Sequence, residues 1–416
     1  MKIATAARIW MTRSFRPFTF LKEYDQKLDY DSLHHLGLYI HIPFCKEICK
    51  FCPYCKVVYE REVANEYVDA LLKEIQIVGA TFHGKKAVNS LYFGGGTPAL
   101  VVDRIGEIVA QVRRFFVIRE GIGLELHPDD VCVEVLEKLK AAGVTKISIG
   151  IQSFQKNQLL DLQRKPIDLS ALAQALQKVA FKTVSMDFIF AIPGQTFGQL
   201  KADIDTAFQK GANHIAMYPF IDFSFAQNGF LPMGEEEKRT LLNQISDYCT
   251  KQGYVRTSIW TFAKKHVKAY SSMTRDHFLG FGCSATTLLG DQFKINTFSV
   301  PAYIKRIDEG KLATSLTLRF TKRQRMVYYL FWTAYTTKVD PKNFKNFFKT
   351  SLKKNYGFEI FMAKILGLLK EKEGIYHMTQ KGIYYYHYFE QFYTLAYIEK
   401  MWGIMRETDF PEGMTL

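Results

Sequence analysis

From Gly37 to residue 221, short β-branched runs alternate with longer segments whose apolar residues recur every three or four positions. The runs are "GLYIHIPF", "AVNSLYFGGG", "GIGLELHP", "TKISIGIQ", "TVSMDFIFAIP" and "NHIAMYPF". Between them lie "EYVDALLKEIQIVG", "DRIGEIVAQVRRFF", "DVCVEVLEKLKAAG", "DLSALAQALQKVA" and "GQLKADIDTAFQKG", several closing on Gly, the preferred helix stop. Six strands joined by helices predict a parallel sheet of right-handed βαβ units, an α/β fold. The nearly continuous apolar character of the runs predicts strands buried on both faces. An open sheet and a barrel fit this periodicity equally.

Residues 222–310 are less regular, and after Leu316 the character changes again. "RFTKRQRMVYYLFWTAYTT" predicts a helix and "DPKNFKNFFKTSLKKN" a basic helix. "FMAKILGLLKEKEGIYHMTQKGIYYYHYFEQFY" predicts a helix, a short wing and a long aromatic helix, a pattern that resembles a winged-helix-like module. The expected organisation is an N-terminal extension over 1–36, the parallel α/β unit over 37–225, a segment completing it over 226–314, and a basic, aromatic-rich module over 315–416.

A chain of 416 residues buries about three quarters of its unfolded surface and needs no disulfide to fold. No stretch approaches the ~20 apolar residues of a membrane span. Arg8, Arg13 and Arg16 interrupt the apolar positions at the N-terminus, so no secretory leader is expected. An odd number of cysteines, seven, then points to a reducing cytoplasm.

Lys plus Arg total 55 against 41 for Asp plus Glu, a formal charge of +14. That balance suits an anionic substrate, an anionic membrane face or nucleic acid. Lys342, Lys345, Lys349, Lys353 and Lys354, with the wing near His377, carry part of it. A solvated helix face is the commoner meaning of such lysines, so nucleic acid is not expected. Phe344, Phe347 and Phe348 among them fit either peripheral contact with an anionic membrane or an ordinary helix packed into its domain. The 15% aromatic content fits a flat hydrophobic substrate as well as an aromatic core.

Four of the seven cysteines fall in "HIPFCKEICKFCPYCKVV", in the order C-x3-C-x2-C-x2-C: Cys45, Cys49, Cys52 and Cys55. Structural zinc usually takes two ligand pairs a dozen or more residues apart, a separation this run lacks. A ferredoxin-type run has the order C-x2-C-x2-C-x3-C, with a ligand elsewhere. Three cysteines spaced x3 and x2 can hold three irons of a cubane and leave the fourth open to a chelating molecule. That is the logic of radical S-adenosylmethionine (SAM) chemistry, in which the cofactor reacts and the protein orients. The loop follows the first strand, at the carboxyl end where parallel α/β folds bind ligands.

The surrounding motifs agree. "YFGGGTPAL" puts Gly94, Gly95, Gly96, Thr97 and Pro98 after the second strand, where bare backbone suits a methionyl ammonium and carboxylate. Glu125 ends the third strand, Gln152 the fourth, Arg164 follows one helix later, and Asp187 lies inside the fifth. Singly, each is as well explained as a structural polar group. Together, at strand ends behind a three-cysteine loop, they point to a cofactor site.

"YIHIPFC", "GGGTP", "GIQSF", "MDFIFAIPGQT" and "FLGFGCSA" resemble the oxygen-independent coproporphyrinogen III oxidase-like branch of the radical SAM superfamily, over residues 37–310. The resemblance implies a partial (β/α)6 TIM-like barrel with a [4Fe–4S] cluster on Cys45, Cys49 and Cys52, followed by the mostly helical C-terminal module. It implies SAM contacts at Tyr39, Phe51, Gly95, Gly96, Thr97, Glu125, Gln152, Arg164, Asp187 and Ile221, shared between two SAM molecules. It also implies an external low-potential electron donor such as a flavodoxin or ferredoxin. Two departures stand out. Tyr54 occupies the place of the decarboxylase's fourth cysteine, with Cys55 one residue later. "YSSMTRDHFLGFG" lacks the "HNxxYW" signature of the related heme chaperones.

The expectation drawn from these residues is C-methylation of a flat hydrophobic substrate, a quinone, tetrapyrrole or aromatic metabolite, as in the class C radical SAM methyltransferases. The alternative is tetrapyrrole chemistry proper, oxidative decarboxylation or heme ring opening. A cluster- or heme-binding carrier without catalysis would need the cysteine loop but not Glu125, Gln152, Arg164 and Asp187 together.

Overall fold

The computed structural model of the chain describes residues 3–22, 36–224, 231–267 and 276–416. Each of the six apolar runs forms a strand: β1 (Leu36–Ile42), β2 (Lys86–Gly95), β3 (Ile122–Leu126), β4 (Val144–Gln152), β5 (Thr183–Phe190) and β6 (His214–Pro219). They pair in parallel in chain order, β1 to β6. Helices Arg61–Gly79, Val102–Phe115, Val133–Ala141, Leu169–Lys178 and Phe197–Gln209 make the crossovers. β6 pairs next with Thr261–Ala263 rather than with β1, so the curved sheet does not close through its first and sixth strands. This is the partial barrel that the resemblance implied and periodicity left undecided.

Alternation along each strand sorts the side chains. On β1, Leu38, Ile40 and Ile42 are buried in the main core, while Tyr39 and His41 share the other face. The helices close over the core tightly. A Cβ on Gly79 would lie 2.3 Å from the Phe115 ring, so glycine there lets two crossover helices approach.

The segment expected to complete the barrel brings helices Glu235–Lys251 and Val300–Asp308 together with further strands. β7 (His277–Phe281) adds in parallel beside β1, and β8 (Thr286–Leu289), β9 (Gln292–Asn296) and β10 (Thr314–Arg319) continue antiparallel. Short strands Thr19–Leu21 and Gly413–Thr415 extend this edge. Residues 270–275, part of the stretch compared with the heme-chaperone signature, lie outside the described residues.

The C-terminal region is mostly helical around a three-stranded wing of Lys338–Val339, Leu369–Lys372 and Ile375–Met378. The one basic helix expected near 340–355 is two. Pro341–Phe348 ends at Lys349, which turns left-handed at φ 55°, and Leu352–Ile365 restarts with Ser351 capping the backbone N–H of Lys354. Phe344, Phe347 and Phe348 take the packed arrangement, turned toward the domain rather than outward. Phe344 and Phe348 are buried, and Phe347 stacks on Tyr329 with centroids 5.1 Å apart. Exposed apolar side chains of this region include Phe358, Phe361 and Ile365 on the following helix, with Leu366, Tyr385, Phe389 and Leu395 after it. Among the described residues, no helix is long and apolar enough to cross a membrane.

Candidate active site

The cysteine loop leaves β1 and is pinched at its base. Phe44–Cys45 pairs in parallel with Val57–Val58, with Val57 N–H donating to the Pro43 carbonyl at 2.8 Å and Tyr59 N–H to that of Cys45 at 2.9 Å. Cys52 N–H bonds the Cys49 carbonyl at 3.3 Å, a turn that folds the x2 spacing back on itself. Two ion pairs tether the loop to neighbouring strand-end segments, Lys46 to Asp130 and Lys165 to Glu47, both at 2.6 Å. Cys45, Cys49 and Cys52 are all partly exposed within the loop. Burial pushes the Cys45 thiol up to about 11, and Cys52 and Cys49 beside it add to the rise. Three neighbouring thiols on one tight loop fit a cubane cluster with one open iron.

Each glycine of "GGGTP" is required by a different neighbour. A Cβ on Gly94 would meet the Tyr39 ring at 3.0 Å and Glu125 Oε1 at 3.2 Å. On Gly95, held at φ 124°, it would meet the Ile42 carbonyl at 2.6 Å and the His41 ring at 2.9 Å. On Gly96 it would meet the Phe44 carbonyl at 2.5 Å and Cys45 Sγ at 2.8 Å. Gly96 and Thr97 then bond the Ile42 and Phe44 carbonyls through their N–H groups at 2.8 and 2.7 Å. The run thus presses directly against the cysteine loop.

The polar residues expected at strand ends occupy the same end of the barrel. Glu125 accepts from the Tyr92 hydroxyl at 2.8 Å and the Gly95 N–H at 3.1 Å, and burial pushes its carboxyl up to about 7. Asp187 accepts from Ser148 at 2.8 Å and Ser185 at 3.0 Å, and burial pushes it up to about 6. Gln152 ends β4 in the left-handed region at φ 69°. Such a conformation in a non-glycine residue costs energy and clusters at functional sites. Arg164 reaches both the loop and β4, donating to Cys49 Sγ at 3.5 Å and to the Gly150 carbonyl at 3.0 Å. Phe51 packs against an apolar cluster of Leu162, Ile189, Ile192 and Phe220. Ile221 follows β6, half-buried, one residue past the bond from Phe220 N–H to the Phe190 carbonyl at 2.7 Å. Tyr39 stacks on Tyr92 and bonds His41 Nδ1 at 3.0 Å.

Several neighbours carry no motif. Tyr92, which opens "YFGGGTPAL", and the serines Ser148 and Ser185 hold the two carboxyls, a role the motifs did not assign them. Tyr218 and Trp260 meet edge to face at 5.8 Å, and Trp260 meets Tyr335 at 5.6 Å, so aromatic rings line up beyond β6. The C-terminal helix Glu399–Glu407 clasps the cysteine loop. Trp402 packs on Tyr54 at 5.7 Å, and Arg406 donates to the Pro53 and Tyr54 carbonyls at 2.5 and 3.0 Å. Tyr54, in the place of the expected fourth cysteine, is therefore half-exposed against this helix. Cys55 turns inward, away from the other three, with its sulfur 3.2 Å from the Phe298 carbonyl.

Residues 39–207 match the family model of the radical SAM superfamily. The chain is 27% identical over 367 residues to the heme chaperone HemW of Bacillus subtilis, covering 84% of this chain and 94% of that protein. It is 26% identical over 303 residues to the oxygen-independent coproporphyrinogen III oxidase of Escherichia coli, 66% of each chain. Among solved structures, that of coproporphyrinogen III oxidase (HemN) from Escherichia coli superposes with a TM-score of 0.76 at 20% identity, covering 92% of this chain and 98% of that one. That correspondence is one of fold.

Proposed function

Given that the chain belongs to the radical SAM superfamily and carries its catalytic domain, we propose that it acts on a tetrapyrrole, by oxidative decarboxylation of the coproporphyrinogen oxidase type. The observation that carries this reading is the shared ligand class of its relatives. The heme chaperones and the coproporphyrinogen III oxidases it resembles along 66% to 84% of its length are both named for tetrapyrroles. Tyr218, 39% exposed at the end of β6 and backed by Trp260, offers an aromatic face to a flat ligand. No comparable observation favours the C-methylation expected from sequence.

Cys45, Cys49 and Cys52 would hold a [4Fe–4S] cluster. When bound and reduced, that cluster supplies the electron that cleaves SAM to methionine and a 5′-deoxyadenosyl radical. This chain's residues bind and orient. Gly95 and Gly96 let the run press against the loop, where its bare backbone can meet the methionyl group, and Arg164 can meet its carboxylate through a planar fork. Glu125 and Asp187 can take an ammonium or a ribose diol, Gln152 supplies a paired donor and acceptor, and Phe51 and Ile221 offer apolar contact. In the decarboxylation, a propionate side chain loses one hydrogen atom, then carbon dioxide and one electron to an external acceptor, leaving a vinyl group.

The test is anaerobic reconstitution with iron, sulfide, SAM and a low-potential reductant, with coproporphyrinogen III as the probe. Release of 5′-deoxyadenosine together with carbon dioxide is expected. Deoxyadenosine with S-adenosylhomocysteine and a methylated product would restore the methylation reading. Heme binding with no deoxyadenosine from any tetrapyrrole would move the protein to the carrier class.

A further inference from the structure

Behind the cysteine loop, three metal-ligating side chains converge from separate parts of the chain. His41 lies on β1, Cys55 on the return of the loop, and Cys283 two residues past β7. One ligand atom from each lies within 4.8 Å of the other two. Their exposures are 3%, 7% and 0%. Among the described residues, this is the group of His, Cys, Asp and Glu close enough to share one ion. The three loop cysteines are spread too widely to do so.

A packed core accounts for one buried cysteine, which behaves as a small apolar side chain. It does not account for two thiols and an imidazole facing one another from a rigidly held backbone. The Tyr67 hydroxyl donates to the His41 carbonyl at 2.8 Å and accepts the Cys283 N–H at 2.9 Å, joining two of the three segments. Glu74 accepts the Gly282 N–H at 2.7 Å, the Tyr303 hydroxyl at 2.7 Å and Asn296 Nδ2 at 3.1 Å. Asn296 also donates to the Gly282 carbonyl at 2.9 Å, so the turn before Cys283 is held from both sides. His41 has an outer partner in the Tyr39 hydroxyl, 3.0 Å from Nδ1, and its Nε2 lies 3.0 Å from the Cys55 carbonyl. Outer hydrogen bonds of this kind orient the ligands of metal sites.

We propose that His41, Cys55 and Cys283 form a site for one borderline divalent cation, zinc above all, separate from the cysteine loop's own ligand set. Thiolate and imidazole donors suit that class of ion, and three protein ligands leave a fourth position for water. On binding, both thiols release their protons to solvent. To ligate, the imidazole gives up the Nε2–H bond to the Cys55 carbonyl, takes its one proton on Nδ1 toward the Tyr39 hydroxyl and offers Nε2 to the metal. Two thiolates and one divalent cation sum to zero charge, which a buried place tolerates. The ion fastens the return of the cysteine loop to the strand beside β1, fixing the base from which Cys45, Cys49 and Cys52 project.

The test uses full-length protein purified anaerobically, stripped with a chelator, equilibrated with zinc sulfate, desalted and analysed for metal. The wild type and the triple variant Cys45→Ala, Cys49→Ala, Cys52→Ala should each keep about one zinc per chain, and Cys283→Ser should keep less than about a tenth of that. No zinc in the first two, or full retention in Cys283→Ser, overturns the proposal. Because a change at Cys283 can unfold the chain, zinc X-ray absorption on the loaded triple variant provides the second reading. Two sulfurs at ~2.3 Å and a nitrogen at ~2.0–2.1 Å are expected, and any shell without two sulfurs overturns it. A Cys55–Cys283 disulfide found by peptide mapping of the anaerobic protein does so too.

Discussion

Arg164 donates to the sulfur of Cys49 at 3.5 Å while its other terminal nitrogen donates to the Gly150 carbonyl at 3.0 Å. One guanidinium thus couples the cysteine loop to the end of β4, two parts of the site far apart in sequence. Arg164→Ala should lower 5′-deoxyadenosine formation roughly 10- to 100-fold, the ~1.5–3 kcal/mol of a charged hydrogen bond. Arg164→Lys should rescue little, because an ammonium lacks the planar fork. Iron content, measured in parallel, should hold. An unchanged rate would remove Arg164 from the site, and lost iron would reduce it to a prop for the loop.

Gly96 tests the fit between the glycine run and the loop. Gly96→Ala sets a Cβ 2.5 Å from the Phe44 carbonyl and 2.8 Å from Cys45 Sγ, so one of the two must move. Iron assembled per chain should fall several-fold while far-ultraviolet dichroism stays native. Gly106→Ala is the control, since an added Cβ there meets nothing within 4 Å in the middle of helix Val102–Phe115. It should keep its iron and gain about 0.5–1 kcal/mol. Equal iron in both variants would mean that the run does not shape the loop.

Cys45→Ala, Cys49→Ala and Cys52→Ala should each abolish cluster absorbance and SAM cleavage. Cys55→Ser should keep the cluster, because its sulfur points into the core beside Phe298. Loss of the cluster in Cys55→Ser, with retention in one of the other three, would reassign the ligands.

Glu74 governs a pH effect. Burial pushes its carboxyl from 4.5 up to about 7, against the opposing pull of the Gly282, Tyr303 and Asn296 donors. A raised acid is held protonated by the fold, so its contribution to stability is complete below pH 4.5 and is lost as pH rises through about 7. Denaturant unfolding should show wild-type stability falling across that window, with about 3 kcal/mol of the fall absent in Glu74→Gln. Parallel curves for the two proteins would show that Glu74 is already ionised in the fold.

The chain's linear pattern determined the strands and crossovers of the barrel, because burial on both faces demands continuous apolar runs of strand length. It also determined the cysteine loop and the glycine run, where spacing and chemistry act between near neighbours. Glu125, Gln152, Arg164 and Asp187 were legible only as polar exceptions at apolar strand ends. What holds them was not, because Tyr92, Ser148 and Gly150 come from adjacent strands and register alone sets them opposite. The split at Lys349 turns on one left-handed backbone angle that lysine does not advertise. The burial of Phe344 and Phe348 depended on where Tyr329 packs, which no local alternation of phenylalanine and lysine encodes. His41, Cys55 and Cys283 show the same limit most plainly. They are separated by up to 242 positions in the sequence, and only the parallel pairing of β1 with β7 brings the three together.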